Sequence, residues 1–399
     1  MKNLILILLS IILVSGCTKK EVETQTDTPV IDEKPVTTKV INGTYRGAFT
    51  DPKSVEIEFE VENGVFTSFK FRALSFKGVD YLKSEDEKVL AVGKQYTDLG
   101  DYLVGKNVDA VDDLYNPADI TKDVDGFTAA TVRSSKVISA INDAFARKPY
   151  KVDDGTVYEV GTYSDGTYRG AYLASEQVTV EFELKDNKFI SLKLRSLTYK
   201  DVDYLKSEET PYKGIASQYQ ECLDYLTGKD VSAILDLYKP ANIATDVDGV
   251  TAATLRSNKL ISALFDGLNR GVYKLADSSN VDYSADYEDG TYRGAFITPS
   301  DVEIEFVLKD NTFESIKYRA LGFKGSNYLK SEDKNEIALT GQYQALLDYL
   351  SGKKLSDVYA LYSPGEIVQD VDGFAGATIR SSKVISAIND ALVRGVYKK

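Results

Sequence analysis

The stretch DVDGFAGATIRSSKVISAINDAL, residues 370–392, occurs three times in this chain of 399 residues. The other copies are DVDGFTAATVRSSKVISAINDAF, residues 123–145, and DVDGVTAATLRSNKLISALFDGL, residues 246–268. Each copy closes a module that starts with GTYRGA, at Gly43, Gly166 and Gly290. Because the start and the end of the module recur at the same spacing, which is far longer than a solenoid unit, the pattern predicts three tandem copies of one domain.

The second half of the stretch has the periodicity of a helix. Val384, Ile385, Ile388 and Leu392 fall on one apolar face, and the other two copies repeat it. The first half is a glycine-bearing turn of small residues directly before that helix. Such a turn lets a phosphate group approach the free N–H groups of a helix start. The simpler reading is an ordinary turn followed by a core helix that begins with a threonine hydroxyl.

The turn resembles the D-x-x-(S/T)-G-A-T flavinylation motif of FMN-binding domains, such as the flavin subunits of sodium-pumping and Rnf-type reductases. The resemblance extends upstream to GTYRGA and covers most of each module. It implies that a flavin transferase, using FAD as donor and needing magnesium, esterifies the FMN phosphate to the last threonine of the motif. The implied acceptors are Thr131, Thr254 and Thr378.

The same resemblance implies roles for the other motif positions. The transferase is expected to read the motif aspartates, which are Asp125, Asp248 and Asp372. The remaining cofactor-binding positions are Gly126, Gly249, Gly373, Ala130, Ala253 and Ala377. The chain departs from the motif at Ala129 and Ala252, where glycine is usual, and at Ala375, where serine or threonine is usual. An added Cβ restricts close approach of a ligand to the backbone.

The N-terminus resembles a lipoprotein signal peptide. A short basic start precedes an apolar run, residues 4–14, that is too short to span a bilayer. The sequence VSGC at residues 14–17 resembles a lipobox, which implies cleavage after residue 16 and diacylglyceryl transfer to Cys17. Residues 17–40 are rich in Thr, Pro and charge, and are expected to be a flexible tether. The alternative is a plain secretory signal with a chance cysteine. A separate, additional role is that of a peptide pheromone, formed from a trimmed fragment of the signal peptide as with some related lipoproteins.

Composition limits the chemistry. The chain has no histidine, one methionine and two cysteines, so His-based catalysis, His- or Met-ligated haem and iron–sulfur clusters are excluded. We predict no catalytic residues and no metal site. Cys222 stands where the other modules have Leu99 and Leu346, and is expected to be a buried apolar residue. The net charge of −13 argues against nucleic-acid binding.

The pattern of residues in each module predicts an α+β domain, with an antiparallel sheet followed by helices. From Val55 to Val61 apolar residues alternate with glutamates, and Asn63–Gly64 is a hairpin turn. Helices are expected over residues 93–106 and 111–115, before the closing helix. The predicted domains are residues 41–149, 163–274 and 287–399, joined by short acidic linkers that should permit some relative motion.

Two further groups of side chains are candidates for the flavin site. Tyr81, Tyr96 and Tyr102 could line a flavin, although packing is the simpler role. The arginines two residues after each acceptor could pair with the phosphate or lie solvated at the helix start; they are Arg133, Arg256 and Arg380. Asp123 and Asp125 alone are weak grounds for a cation site.

Together these features resemble flavinylated extracellular electron-transfer lipoproteins of Gram-positive bacteria. The expected protein is lipid-anchored in the cell membrane, faces away from the cytoplasm and carries up to three covalent FMN groups. It would be an electron carrier, or a flavin subunit of an extracellular reductase. Electrons would pass from a membrane NADH dehydrogenase or quinone system to extracellular acceptors. The alternative is a surface-binding or adhesive lipoprotein that keeps the fold without flavin; a hydrolase is disfavoured because histidine is absent.

Overall fold

The computed structural model describes residues 40–49, 53–76, 78–121, 130–174, 176–200, 202–244, 253–276, 281–297, 300–368 and 377–399. The predicted signal peptide, Cys17 and all but the last residue of the predicted tether lie outside these ranges. The α+β class is confirmed, because antiparallel sheets alternate along the chain with helices. The same order of elements occurs three times, and we name the three units by their sheets: repeat 1 (43–151), repeat 2 (166–274) and repeat 3 (290–398).

In repeat 1, four strands form a sheet in the order β1-β2-β3-β4. The strands are β1 Gly43–Phe49, β2 Lys53–Glu62, β3 Val65–Phe76 and β4 Val79–Asp80. The helices are α1 Glu87–Leu103, 3₁₀ segments Val108–Tyr115 and Pro117–Asp119, and the closing helix α2 Ala130–Ala146. Helix α1 begins earlier than predicted because Asp86 caps it by accepting from the backbone N–H groups of Lys88 and Val89.

Repeats 2 and 3 follow the same plan. Repeat 2 contains β5 Gly166–Leu173, β6 Glu176–Lys185, β7 Lys188–Tyr199, β8 Val202–Asp203, α3 Thr210–Leu226, 3₁₀ segments Val231–Tyr238 and Pro240–Asn242, α4 Ala253–Asn269 and β9 Lys274–Leu275. Repeat 3 contains β10 Gly290–Ile297, β11 Ser300–Lys309, β12 Thr312–Phe323, β13 Ser326–Asn327, 3₁₀ segments Tyr328–Lys330, Leu355–Tyr362 and Pro364–Glu366, α5 Lys334–Leu350 and α6 Ala377–Arg394. The sheet orders are β8-β7-β6-β5-β9 and β10-β11-β12-β13.

The closing helix of each repeat packs directly on the first strand of its own sheet. The contact is so close that a Cβ on Gly47 would lie 2.0 Å from the carbonyl oxygen of Ala140 in α2. Gly170 and Gly294 make the same approach to α4 and α6. This is the physical reason for the glycine of GTYRGA: only a residue without a side chain lets strand and helix backbones meet.

Three arginines and three aspartates at the ends of the closing helices form a closed ring of buried ion pairs, which we call the Arg–Asp ring. Each arginine binds the aspartate one turn earlier in its own repeat: Arg147–Asp143 at 2.9 Å, Arg270–Asp266 at 2.8 Å and Arg394–Asp390 at 2.8 Å. Each also binds the aspartate of another repeat: Arg147–Asp266 at 2.7 Å, Arg270–Asp390 at 3.2 Å and Arg394–Asp143 at 3.5 Å. The last pair returns from repeat 3 to repeat 1 and closes the ring.

Hydrogen bonds to the backbone complete the Arg–Asp ring. The third guanidinium nitrogen of each arginine donates to a carbonyl in the first strand of the neighbouring repeat; the acceptors are Ala171, Ala295 and Ala48. The N–H groups of those same alanines donate to the ring aspartates. Burial alone would raise the pKa of Asp390, but Arg270 and Arg394 together hold this pKa below its ordinary value.

Three further contacts occur once at each junction between repeats. A tyrosine hydroxyl donates to a carbonyl of another repeat, in the pairs Tyr115–Val396, Tyr238–Pro149 and Tyr362–Val272. An asparagine amide does the same, in the pairs Asn142–Arg394, Asn269–Ala146 and Asn389–Arg270. Two aromatic rings stack, in the pairs Tyr150–Tyr172, Tyr273–Phe296 and Phe49–Tyr397. The junction between repeats 3 and 1 is therefore built like the other two.

The linkers also pack against the repeats. Tyr158 and Tyr163 of the first linker, and Tyr283 and Tyr287 of the second, contact the apolar core. Tyr158 is hydrogen-bonded to Tyr238 at 3.0 Å. The linkers, which were expected to permit some relative motion, thus pack on the repeats through partly buried tyrosines, and the Arg–Asp ring joins the repeats directly.

Removing one cation from the Arg–Asp ring should destabilise the whole fold. In Arg270→Met, the buried carboxylates of Asp266 and Asp390 each lose a partner, which typically costs about 3–5 kcal/mol. Urea unfolding would measure this change. The control is Lys206→Ala, which removes an exposed pair with Asp203 and should cost less than about 1 kcal/mol. Equal losses in the two variants would show that the ring contributes little.

Candidate functional site

The described part of the flavinylation motif is the start of each closing helix. Helices α2, α4 and α6 begin at Ala130, Ala253 and Ala377, so Thr131, Thr254 and Thr378 are each the second helical residue. The predicted motif residues Asp125, Asp248, Asp372, Gly126, Gly249 and Gly373 lie outside the described residues, as do Ala129, Ala252 and Ala375. The side chains of the three threonines, and of Arg133, Arg256 and Arg380, are likewise outside what the structure describes.

The backbone of these helix starts suits an anionic ligand. The first turn of an α-helix leaves N–H groups without intrahelical partners, and the helix dipole adds partial positive charge there. The helices are 17 or 18 residues long, so this geometry is well developed. Each threonine is thus part of the first helical turn, whose N–H groups can bind an anion.

A buried polar side chain lies one helical turn after each threonine. These residues are Ser135, Asn258 and Ser382, all almost fully buried. Positions four residues apart share a face of the helix, so each polar group lies on the side of its threonine. Among the residues that the structure describes, neither polar atom of the Asn258 amide has a hydrogen-bond partner. An orphaned buried amide is rare, and it fits a site that receives a polar ligand beside Thr254.

A lysine follows each of these polar residues. Lys136 is 3% exposed, and its ammonium lies 4.9 Å from the centre of the Phe49 ring. Burial, together with the nearby charges of Arg46 and Arg72, lowers the pKa of Lys259 to about 8. Because both arginines belong to repeat 1, the electrostatics of the Thr254 site involve two repeats.

The candidate site residues predicted from the sequence do not include these polar residues and lysines. A sequence pattern does mark them: the tetrapeptide RSSK in repeats 1 and 3, or RSNK in repeat 2, follows the threonine motif. The tyrosines predicted as candidates pack against neighbouring side chains in the structure. Tyr96 is buried against Phe71, and the Tyr102 hydroxyl is hydrogen-bonded to Asp113 at 2.7 Å. Tyr81 packs against the same core.

The Arg–Asp ring sets the arrangement of the three helix starts. Carboxylate oxygens of Asp143, Asp266 and Asp390 lie within 4.8 Å of one another, so the closing helices converge at their C-terminal ends. Each threonine precedes its ring aspartate by the same number of residues, which corresponds to about 18 Å of helix. The candidate sites therefore lie at the far ends of three helices that meet at one point.

The converging aspartates do not form a metal site in this arrangement. Each carboxylate accepts from two guanidinium groups and one backbone N–H group. A cation would have to displace arginines that are themselves buried and hydrogen-bonded. The three carboxylates are therefore structural partners of the arginines.

Cys222 behaves as the sequence predicts. It is a free, buried cysteine in α3 and packs in the apolar core. Burial and, to a lesser degree, the charge of Glu221 raise the pKa of the Cys222 thiol to about 11. A thiol of this kind is protonated at neutral pH and unreactive.

Comparison of the chain with protein-family models, curated proteins and solved structures gives no match. Within the described ranges, none of the helices combines the length and apolar character needed to cross a membrane.

The lowered pKa of Lys259 is testable. We expect the amine to titrate near pH 8, as measured by NMR of selectively ¹³C-labelled lysine. Because the folded-state pKa lies below the unfolded value, the unfolded state binds more protons, and this residue should make the fold more stable as pH rises from about 8 toward about 10.4. Replacing Arg46 and Arg72 by glutamine should raise the pKa of Lys259, since both charges oppose protonation.

The control is Arg319→Gln, the position in repeat 3 that corresponds to Arg72. It should leave the titration of Lys259 unchanged. An ordinary lysine pKa for Lys259 in the unmodified protein would contradict this description of the site.

Proposed function

We propose that this protein is a membrane-anchored flavoprotein that carries electrons outside the cytoplasm. Each repeat would be a small FMN-binding domain, with FMN held as a phosphoester on Thr131, Thr254 or Thr378. Electrons would enter from a membrane dehydrogenase or quinol and leave to extracellular acceptors or a partner reductase. The observation that carries the proposal is the threefold threonine motif at a helix start, each followed by a buried polar residue and a lysine.

The residues present fit a phosphate group at each site. Helix N–H groups would donate hydrogen bonds to the phosphate oxygens, and the lysines Lys136, Lys259 and Lys383 would supply positive charge near the phosphate. When bound, FMN supplies one- and two-electron chemistry that the side chains of this chain lack. The part of the protein is to hold the cofactor and set the spacing between sites.

Two features of the sequence support an extracytoplasmic location. The lipobox resemblance at Cys17 supports a diacylglyceryl anchor, and two acyl chains give stable membrane attachment. Residues 18–39 support a solvated tether between that anchor and repeat 1. Covalent attachment by a flavin transferase suits this location, because a dissociated flavin would be lost to the medium.

A second candidate is a binding or adhesive lipoprotein that keeps the fold without flavin. The observation that favours it is the altered motif. Ala129 and Ala252 add a methyl group where glycine is usual, and Ala375 lacks the hydroxyl of the usual serine or threonine. The two candidates differ in one measurable property, because only the first carries a covalent chromophore.

Intact-mass analysis distinguishes them. Protein from a host that contains the flavin transferase should carry up to three FMN-sized mass increments. Thr131→Ala, Thr254→Ala and Thr378→Ala should each remove one increment, because the ester oxygen is lost. The matched control is Thr97→Ala, at a half-buried threonine in α1, which should leave the mass increments unchanged. Unmodified protein from a competent host would overturn the proposal and leave the adhesive lipoprotein.

A further inference from the structure

Two equivalent cavities lie beside the Arg–Asp ring, one at each of two junctions between repeats. The cavity at the junction of repeats 1 and 2 measures about 50 Å³, and its lining includes Arg46, Arg72, Glu56 and Tyr172. It also reaches Ala295 and Ile297 of repeat 3. The cavity between repeats 2 and 3 measures about 20 Å³, and the corresponding lining residues are Arg169, Arg195, Thr179 and Phe296. Equivalent pairs of arginines line the two cavities, but the side chains that face these arginines differ.

The first cavity contains its own acceptors. Glu56 pairs with Ala48 across strands β1 and β2, which directs it to the same cavity as Arg46 and Arg72. The hydroxyl of Tyr172 lies 3.5 Å from a terminal nitrogen of Arg46. The carboxylate and the hydroxyl thus face Arg46 and Arg72 within the protein. The other arginines that line this cavity are already paired in the Arg–Asp ring; they are Arg147, Arg270 and Arg394.

The second cavity has lost both acceptors. Thr179 pairs with Ala171 in the register that Glu56 occupies in repeat 1, so an uncharged residue replaces the carboxylate. The hydroxyl of Thr179 is already hydrogen-bonded to Ser196 at 2.8 Å. Phe296 stands where repeat 2 provides the hydroxyl of Tyr172, and its ring stacks on Tyr273. The Phe296 ring has no acceptor oxygen, and the Thr179 hydroxyl carries no negative charge to balance a guanidinium.

Positive charge is therefore in excess around the second cavity. Glu181 alone serves three cations: Arg169 at 2.6 Å, Lys193 at 2.5 Å and Arg195 at 3.1 Å. The guanidinium of Arg169 lies 4.0 Å above the ring of Tyr273, which fixes its plane. Arg169 donates through its Nε to Glu181, and within the described residues its terminal nitrogens make no hydrogen bond.

Asp266 and Arg270 of the Arg–Asp ring also line the second cavity, but they do not change this balance. Both oxygens of Asp266 are engaged by Arg147, Arg270 and the N–H group of Ala171. The side chains of Arg169 and Arg195 remain 21% and 32% exposed, so an ion from solvent can reach them.

We propose that the cavity between repeats 2 and 3 binds a small monovalent inorganic anion of the size of chloride. Arg169 and Arg195 would be its charged ligands, and the ion would replace the carboxylate that Glu56 supplies in the first cavity. A volume of about 20 Å³ accommodates an ion close to a water molecule in size. The site requires no flavin and is expected in the protein before flavinylation.

The test uses chloride itself as the probe. Broadening of the ³⁵Cl NMR signal by the full-length protein should be saturable and reversed by bromide, and should not be reversed by a bulky sulfonate at the same ionic strength. Thr179→Glu introduces the carboxylate of the first cavity and should weaken chloride binding at least about tenfold, because the carboxylate competes for both arginines. The matched variant Thr179→Val removes the hydroxyl without adding charge and should retain binding.

The reverse change provides a gain of function that does not depend on the stability of Thr179→Glu. Glu56→Thr removes the carboxylate from the first cavity and should add a second saturable chloride site. Absence of saturable broadening in the unmodified protein would overturn the proposal. It would also be overturned if binding persisted in Thr179→Glu, or if Thr179→Val lost binding to the same extent.

Discussion

The structure depends on the closure of the Arg–Asp ring. Six buried charges are taken out of water, and a buried ion pair of this kind is often no more stabilising than apolar residues of similar size. The contribution of the ring is to fix how the three repeats are placed relative to one another. Every guanidinium nitrogen and carboxylate oxygen has a partner only when three repeats meet in one register, so an open or shifted arrangement would leave buried charges unpaired. The ring thereby selects one arrangement of the three repeats.

This closure places the candidate sites on three helices that converge at one end. A string of independent domains would let the distances between cofactors vary with the linkers. Here the helix starts that carry Thr131, Thr254 and Thr378 are held at fixed positions by the junctions. The sites are also not independent, because Arg46 and Arg72 of repeat 1 act on Lys259 of repeat 2. A flavin on one repeat would then respond to charges on another, which is a means of giving three similar sites different properties.

Much of the fold could be predicted from the sequence, because its signals are local. The alternation around Ile57 and the Asn63–Gly64 turn specify a hairpin, and the apolar face of each closing helix specifies what it buries. The Asp143–Arg147 spacing is also visible as an i, i+4 pair within a helix. Its second partner, Asp266, lies in another repeat, and no local pattern reports that contact. Closure and the packed linkers therefore could not be predicted, since tandem repeats give the same sequence pattern whether they form a string or a ring.

The position of each threonine at a helix start followed from the motif, whereas its surroundings did not. Ser135 and Lys136 are polar residues on a helix whose other buried positions are mostly apolar, and a single-sequence pattern treats such residues as exposed. Only the tertiary contacts show that they are buried. The exchange of Glu56 for Thr179 is likewise unremarkable in sequence, and it gains meaning because the structure lines it up with an arginine cavity.

Distances between the repeats in solution test the central claim most directly. Spin labels at Lys83, Lys206 and Lys330, which are exposed and equivalent in the three repeats, can be introduced in pairs as cysteines after Cys17→Ser and Cys222→Leu substitutions. A closed ring predicts that double electron–electron resonance gives three narrow and nearly equal distances. A distance between repeats 1 and 3 that is broad and longer than the other two would contradict the ring.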